Sequence, residues 1–288
     1  MRNNLRGLDT TPAQNLDRSP IAEGERLIGR RDELRQLRAA IQKREGRLVW
    51  GAADSGKTAL METVIAELSE KERGTCILWR GPANIRRLLC HFVGRLYETG
   101  NSFVQKKVRE DQDKESSLNR WLRKQSSLRL RGILLTALAE AEFRIFVDHV
   151  APATRNLARL MKHIMYRSRT PIYLAARGCS SGEVGDAWSL YWHEGLRIFL
   201  GPLPERDARD LLEACIRKFS LVFLDLEQFR QDVLNLSGYL PGPIVKMCEL
   251  AADSRYRCGD QVKINLVYLD YLMQANSLVL PQSTKSPQ

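Results

Sequence analysis

Apolar positions along this chain follow two spacings in turn. Leu34, Leu37 and Ile41 recur at helical intervals after the polar stretch Gly29-Arg30-Arg31-Asp32, which predicts an amphipathic helix over 31–43. The short run 47–50 predicts a buried strand. Leu60, Met61, Val64, Ile65 and Leu68 then share one face of a predicted helix over 58–71. Further strands are predicted at 76–79, 144–148, 172–176 and 197–200. A charged, largely helical stretch over 84–142 separates the second strand from the third, and a helix over 156–167 separates the third from the fourth. Beyond Pro204 the pattern is helical throughout, with the proline expected at the first helical position. Strands alternating with helices imply an α/β fold, with a parallel sheet covered on both faces.

The polar ends fall outside this pattern. Residues 1–24, with Pro12 and Pro20 and no periodicity, read as a flexible arm, and 279–288 as a disordered tail. Between them the expected division is a core over 25–200 and a helical lid over 201–278. No apolar run approaches the roughly 20 residues that span a bilayer, and the first residues lack the apolar stretch of a secretory signal. A cytoplasmic chain with no membrane partner is expected. Six cysteines, Cys76, Cys90, Cys179, Cys215, Cys248 and Cys258, stand far apart and read as free thiols.

Candidate chemistry concentrates where the first strand meets its helix. Gly51-Ala52-Ala53-Asp54-Ser55-Gly56-Lys57-Thr58 matches G-x-x-x-x-G-K-[ST] at every fixed position. Glycines in such a loop admit backbone conformations that turn amides inward. Those amides and the helix N-terminus, through Ala59, form a cradle for phosphate oxygens. Lys57 supplies a positive charge between the β- and γ-phosphates, and the Thr58 hydroxyl is a Mg2+ ligand. ATP or ADP with Mg2+ is the expected ligand. Asp148 ends the third strand and can reach the same Mg2+ shell, as in a Walker B arrangement. His91, His163 and His193 show no partner in the sequence and read as ordinary half-buried residues.

Leu27-Ile28-Gly29-Arg30-Arg31-Asp32-Glu33-Leu34 resembles the GR-x-x-E-L box that precedes the phosphate loop in origin-recognition-like AAA ATPases and their STAND relatives. There the box closes over adenine, which implies base contacts for Ile28 and Gly29. The strand sequence is similar too. The resemblance implies a three-layer P-loop NTPase fold, with a five-stranded parallel sheet of order 5-1-4-3-2 and a C-terminal α-helical lid. It places Arg177, at the end of the fourth strand, at the sensor 1 position. Leu236-Ser-Gly-Tyr-Leu-Pro-Gly-Pro-Ile244 resembles the GG-x-P lid segment, which implies that Pro241 packs near the base. Two residues depart from the pattern. His149 stands where active ATPases of this type carry the water-activating Glu, and Tyr239 stands where the lid pattern has Gly. A histidine can serve as a general base, so brisk, slow and absent hydrolysis all stay open. ATP-dependent assembly of several copies is implied as well, though no arginine finger can be assigned; Arg167 and Arg169 qualify by position only.

Charge sharpens the question of a partner. The chain carries a formal +11 over 288 residues, unevenly spread. Residues 84–131 hold twelve Lys or Arg against five Asp or Glu. Within 105–131, Leu118, Trp121, Leu122, Leu128 and Leu130 interleave with Arg120, Arg123, Lys124, Arg129 and Arg131. Such a segment can neutralise nucleic-acid phosphates, with Trp121 either stacking on a base or packing inward. It can equally be an amphipathic helix with a solvated basic face, or a docking surface for a protein. An anionic membrane fits least, because no clean apolar face is apparent. The expected function is an AAA-type ATPase that uses Mg-ATP binding and slow hydrolysis to switch conformation or assembly while bound to DNA. The alternative is a nucleotide-gated protein-interaction switch with little turnover and no DNA binding.

Overall fold

The computed structural model describes residues 27–81, 84–111, 117–150, 152–259 and 261–277. The arm over 1–24 and the tail over 279–288 lie outside them. Helix α1 (Arg31–Gln42) buries Leu34, Leu37, Ala40 and Ile41 along one stripe. Strand β1 (Arg47–Gly51) runs through the glycine loop into α2 (Lys57–Glu67). The single helix expected over 58–71 breaks at Leu68 and restarts as α3 (Glu70–Gly74). Ser69 causes the restart. Its hydroxyl accepts the Glu72 N–H while the Glu72 carboxylate accepts the Ser69 N–H, a reciprocal cap that starts a new helix. Strand β2 (Cys76–Arg80) follows.

The charged stretch resolves into four helices, α4 (Ile85–Glu98), α5 (Ser102–Asp111), α6 (Leu118–Lys124) and α7 (Ser127–Glu140). Next come β3 (Arg144–Val150), α8 (Arg155–Arg167) and β4 (Ile172–Arg177). Helix α9 (Ser181–Val184) and two 3-10 turns fill 181–196, which the apolar pattern did not signal. Strand β5 (Arg197–Leu200) closes the sheet. Then come α10 (Glu205–Lys218), α11 (Leu226–Ser237) and α12 (Pro241–Ala251). The chain beyond Pro204 is not wholly helical as expected, since an antiparallel ribbon of β6 (Arg257–Cys258) and β7 (Gln261–Val262) precedes α13 (Ile264–Ser277). Pro204 itself caps α10 in an extended conformation and does not open it.

The large sheet has the order β2-β3-β4-β1-β5, all parallel, which is the expected 5-1-4-3-2 read from its other edge. Alternation along the strands divides the core. Val49, Phe146, Tyr173, Ala175 and Ile198 pack with α1 and α2, while Leu48, Ile145, Val147 and Leu174 pack with α4, α7 and α8. Helices α10 to α13 build a separate apolar cluster around Leu211, Phe229, Ile244 and Met247. Parallel pairing brings the carboxyl ends of the strands to one edge, where Gly51 lies opposite Arg177 and Arg80 opposite Asp148. Among the described residues no helix is long and apolar enough to cross a membrane.

Candidate functional site

The loop between β1 and α2 occupies that edge. Gly51 has φ +157°, and a Cβ there would lie 2.4 Å from the Leu200 carbonyl oxygen. Gly56 caps α2 at φ +92°, in left-handed space that a side chain would strain. The loop folds around its own lysine. Lys57 Nζ donates to the Gly51 carbonyl at 3.1 Å, to Ser55 Oγ at 3.2 Å and to the Ala52 carbonyl. Burial pushes the ammonium down to about 8; Arg177 adds like-charge repulsion, while Asp148 and Asp54 oppose the shift.

Thr58 Oγ1 donates to Asp148 Oδ2 at 2.7 Å. Asp148 is only 3% exposed, and its other oxygen accepts the His149 N–H at 2.7 Å. A hydroxyl and a carboxylate brought together at the start of α2 are the hard oxygen donors that Mg2+ takes, so these residues fit the expected ion. His149 follows a break in the β3–β4 register between Val147 and Val150. It sits at φ +60°, and its exposed ring has Nε2 3.5 Å from Asp148 Oδ2. Arg177 ends β4 with its side chain exposed, and the next N–H, from Gly178, donates to the Gly51 carbonyl at 3.0 Å.

Residues 27–30 thread between the sheet and the C-terminal helices. Ile28 packs on the α10–α13 cluster, and a Cβ on Gly29 would lie 2.7 Å from Asp207 Cβ of α10. Arg30 was not among the expected site residues, yet it is 3% exposed and donates to the Ser55 carbonyl at 3.1 Å and to the Gly201 carbonyl. The start of α12 reaches the same loop. The Gly242 N–H donates to the Asp54 carbonyl at 2.9 Å, and Pro241 Cγ lies 3.5 Å from where a Gly56 Cβ would stand. Pro241 therefore covers the loop itself. Tyr239 sits at φ +61°, so the chain keeps the left-handed backbone that a glycine would adopt freely and places a tyrosine in it. Glu62, one turn after Thr58, pairs with Arg80 at 2.7 Å. Burial pushes its carboxyl up, Arg80 opposes, and Asp148 adds to the rise. Only the i+4 spacing from Thr58 could have flagged it.

No protein-family model matches the chain, and no curated protein matches it. Solved structures do. A Walker-type ATPase of Pyrococcus abyssi shares 18% identity at a TM-score of 0.56, over 91% of this chain and 76% of that one. Orc1 of Aeropyrum pernix, solved in complex with DNA, shares 14% at 0.57, over 89% and 70%. The chain has the P-loop ATPase fold of the Orc1/Cdc6 type. Cdc6p of Pyrobaculum aerophilum extends the likeness at 12% identity and a TM-score of 0.54, over 91% of this chain and 65% of that one.

In this Orc1/Cdc6-type fold the basic segment lies between β2 and β3. Trp121 is buried, with Nε1 donating to Asp111 Oδ2 at 3.2 Å, so it packs inward and is not free to stack on a base. Leu122 and Leu130 are buried too, while Leu128 is 69% exposed. Arg129 pairs with Asp111, and Lys106 and Lys107 pair with Glu110. Arg120, Arg123 and Lys124 are exposed, with no carboxylate partner among the described residues. Two histidines have backbone partners that the sequence did not reveal. His91 Nε2 lies 2.8 Å from the Leu78 carbonyl, and His193 Nδ1 accepts the Gly195 N–H. None of the six cysteines is in a disulfide.

Proposed function

We propose that this chain binds Mg-ATP at the 51–58 loop and uses binding and slow hydrolysis to switch conformation or assembly. One observation carries the reading: the Thr58–Asp148 pair, the enfolded Lys57 and the Gly242 contact from α12 all converge on a single loop. In this reading the 51–59 backbone holds the phosphates, and Lys57 sits against the β- and γ-phosphates. Thr58 and Asp148 hold Mg2+, which when bound neutralises charge on the phosphate oxygens. Arg177, across from Gly51, stabilises charge developing on the transferred group. Ile28, Gly29 and Pro241 line the base. The core over 25–200 and the lid over 201–278 are the two bodies that move, because the Gly242–Asp54 hydrogen bond ties one to the other's phosphate loop. ATP-bound copies assemble, in the cytoplasm.

His149, with Nε2 3.5 Å from Asp148 Oδ2, takes the water-activating position in this reading. A histidine where the resembling ATPases carry a water-activating carboxylate supports slow turnover. Two observations bear on the partner. The Aeropyrum neighbour was solved with DNA, and Arg120, Arg123 and Lys124 are left unpaired among the described residues, which supports nucleic acid. The internal pairing of Lys106, Lys107 and Arg129 and the burial of Trp121 support the alternative, a nucleotide-gated protein-interaction switch.

The test is ATP turnover by wild type and His149→Glu, with and without duplex DNA at two salt concentrations. His149→Glu should raise turnover at similar ATP affinity, since a general base contributes about 10²–10⁴-fold. If His149→Ala abolishes an already brisk activity, histidine is itself the base and the slow-switch reading falls. DNA that neither binds at low salt with ATP nor stimulates turnover leaves the interaction switch standing.

A further inference from the structure

Helices α4, α7 and α8 wall a groove of about 570 Å3. Its floor is aliphatic. Leu89 and Leu160 are buried, Ile85 is half-buried, and Leu128 stands at the lip with 69% of its surface exposed. The rim carries two cations, Arg131 from α7 and Arg159 from α8, with His163 beside them, and no carboxylate lines the groove among the described residues. Neither arginine has an ion-pair partner among the described residues, whereas Arg129 on the same helix as Arg131 pairs with Asp111. Helix α8 as a whole carries Arg155, Arg159, Lys162 and Arg167 and no acidic residue. Arg155, Arg159 and Lys162 follow one another at i, i+4 and i+7 on the exposed face of this helix, with no acidic partner on it, and repel one another unless an anionic surface meets them.

We propose that this groove docks an acidic amphipathic helix of a partner protein, with aliphatic or aromatic side chains at i and i+3 or i+4 filling the floor and Asp or Glu residues meeting Arg131 and Arg159. The two halves of the groove ask for two properties in one ligand. An exposed leucine beside a concave apolar floor gains by being covered with apolar side chains, which a phosphate backbone does not supply. Single-stranded nucleic acid bound without sequence preference stacks its bases on aromatic platforms, and the described lining of the groove has no Phe, Tyr or Trp. An amphipathic helix laid in a groove satisfies both demands. The chain's own helix α13 also exposes Leu266, Leu269 and Met273. Its one carboxylate, Asp270, already accepts the Tyr256 hydroxyl, so a second copy would leave the arginine rim unmatched. Helix α8 begins six residues after His149, so an occupant of the groove presses on the element that leaves the nucleotide edge of the sheet.

The full chain, displayed against a library of random helical peptides, tests the proposal. Selected peptides should be enriched in Asp and Glu and should keep apolar residues at i and i+3 or i+4. Binding of a labelled winner, followed by fluorescence anisotropy, should weaken by tenfold or more in Leu128→Asp, the loss typical of a buried anchor. It should weaken similarly in the Arg131→Glu/Arg159→Glu double variant, which should also lose the salt dependence of wild type. Circular dichroism should show all variants folded, as the three side chains lie at the surface. The proposal is overturned if no peptide is selected, if winners are not acidic, or if binding survives both variants. It is equally overturned if duplex DNA binds with the same dependence on Leu128, Arg131 and Arg159, or if Leu128→Asp abolishes self-association of the chain.

Discussion

Nucleotide binding at the 51–58 loop should take up a proton, and the proton should go to Lys57. In the free chain its Nζ is enclosed by the Gly51 and Ala52 carbonyls and the Ser55 hydroxyl, and burial pushes it down to about 8. A phosphate oxygen reverses that balance. Two unit charges about 4 Å apart at an effective dielectric near 20 attract by about 4 kcal/mol, or about three pKa units, which restores the ammonium. The free chain is then about half protonated at pH 8 and about one-tenth at pH 9, while the complex stays charged. Titration calorimetry in buffers of different ionisation enthalpy should report uptake of about half a proton at pH 8, about nine-tenths at pH 9 and about one-tenth at pH 7. Affinity should fall toward tenfold per pH unit above 8. The free chain's stability should move the other way. Folded Lys57 binds fewer protons than unfolded Lys57 between about 8 and 10.5, so stability rises with pH through that window, by up to about 3 kcal/mol. Lys57→Met should remove both effects. Equal proton uptake by the Met variant, or none by wild type at pH 9, would refute the reasoning.

Three further outcomes follow from single contacts. Gly242→Ala places a Cβ 2.3 Å from Asp54 Cβ; chemical denaturation should show a loss of about 1–3 kcal/mol, with ATP affinity reduced, and no change in either would dissolve the link between α12 and the loop. Arg30→Ala strips the Ser55 and Gly201 carbonyls of a buried donor and should cost about 1–3 kcal/mol for each oxygen left unsatisfied, read as a lowered denaturation midpoint. Trp121→Ala should cost about 3–5 kcal/mol as a core cavity; an unchanged melting temperature with lost DNA binding would mean that the ring faces outward.

Much of the core was legible because its signals are local. Each strand of the large sheet is a compact apolar run, and the glycine loop announces itself by residue type and spacing. Other features depend on partners far away in sequence. Arg30 looks like one more surface charge until β5 brings Gly201, 171 residues on, within reach of its guanidinium. The Glu62–Arg80 pair forms only because β2 lies beside β3. The apolar spacing 60, 61, 64, 65, 68 reads as one long helix, and the Ser69–Glu72 cap overrides it at short range. Tyr239 was legible as an anomaly, and the structure gives its meaning: the backbone turn is retained although its glycine is absent. The 257–262 ribbon has two-residue strands, too short for any period to register.

The two unforeseen contacts on the phosphate loop have a joint consequence. Arg30 holds the Ser55 carbonyl and Gly242 holds the Asp54 carbonyl, so successive carbonyls of one loop are fixed from opposite ends of the chain. In a trans peptide the N–H points away from the C=O of the same plane. Fixing the Asp54 carbonyl therefore sets the direction of the Ser55 N–H, and fixing the Ser55 carbonyl sets that of the Gly56 N–H. In the proposed site those amides hold phosphate oxygens. The box before β1 and the first turn of α12 thus orient phosphate donors without touching the phosphate. An anion drawing on those donors acts back on the same two peptide planes, and through them on α12. The proposed switch then needs no long relay, because the loop is already the joint between the two bodies.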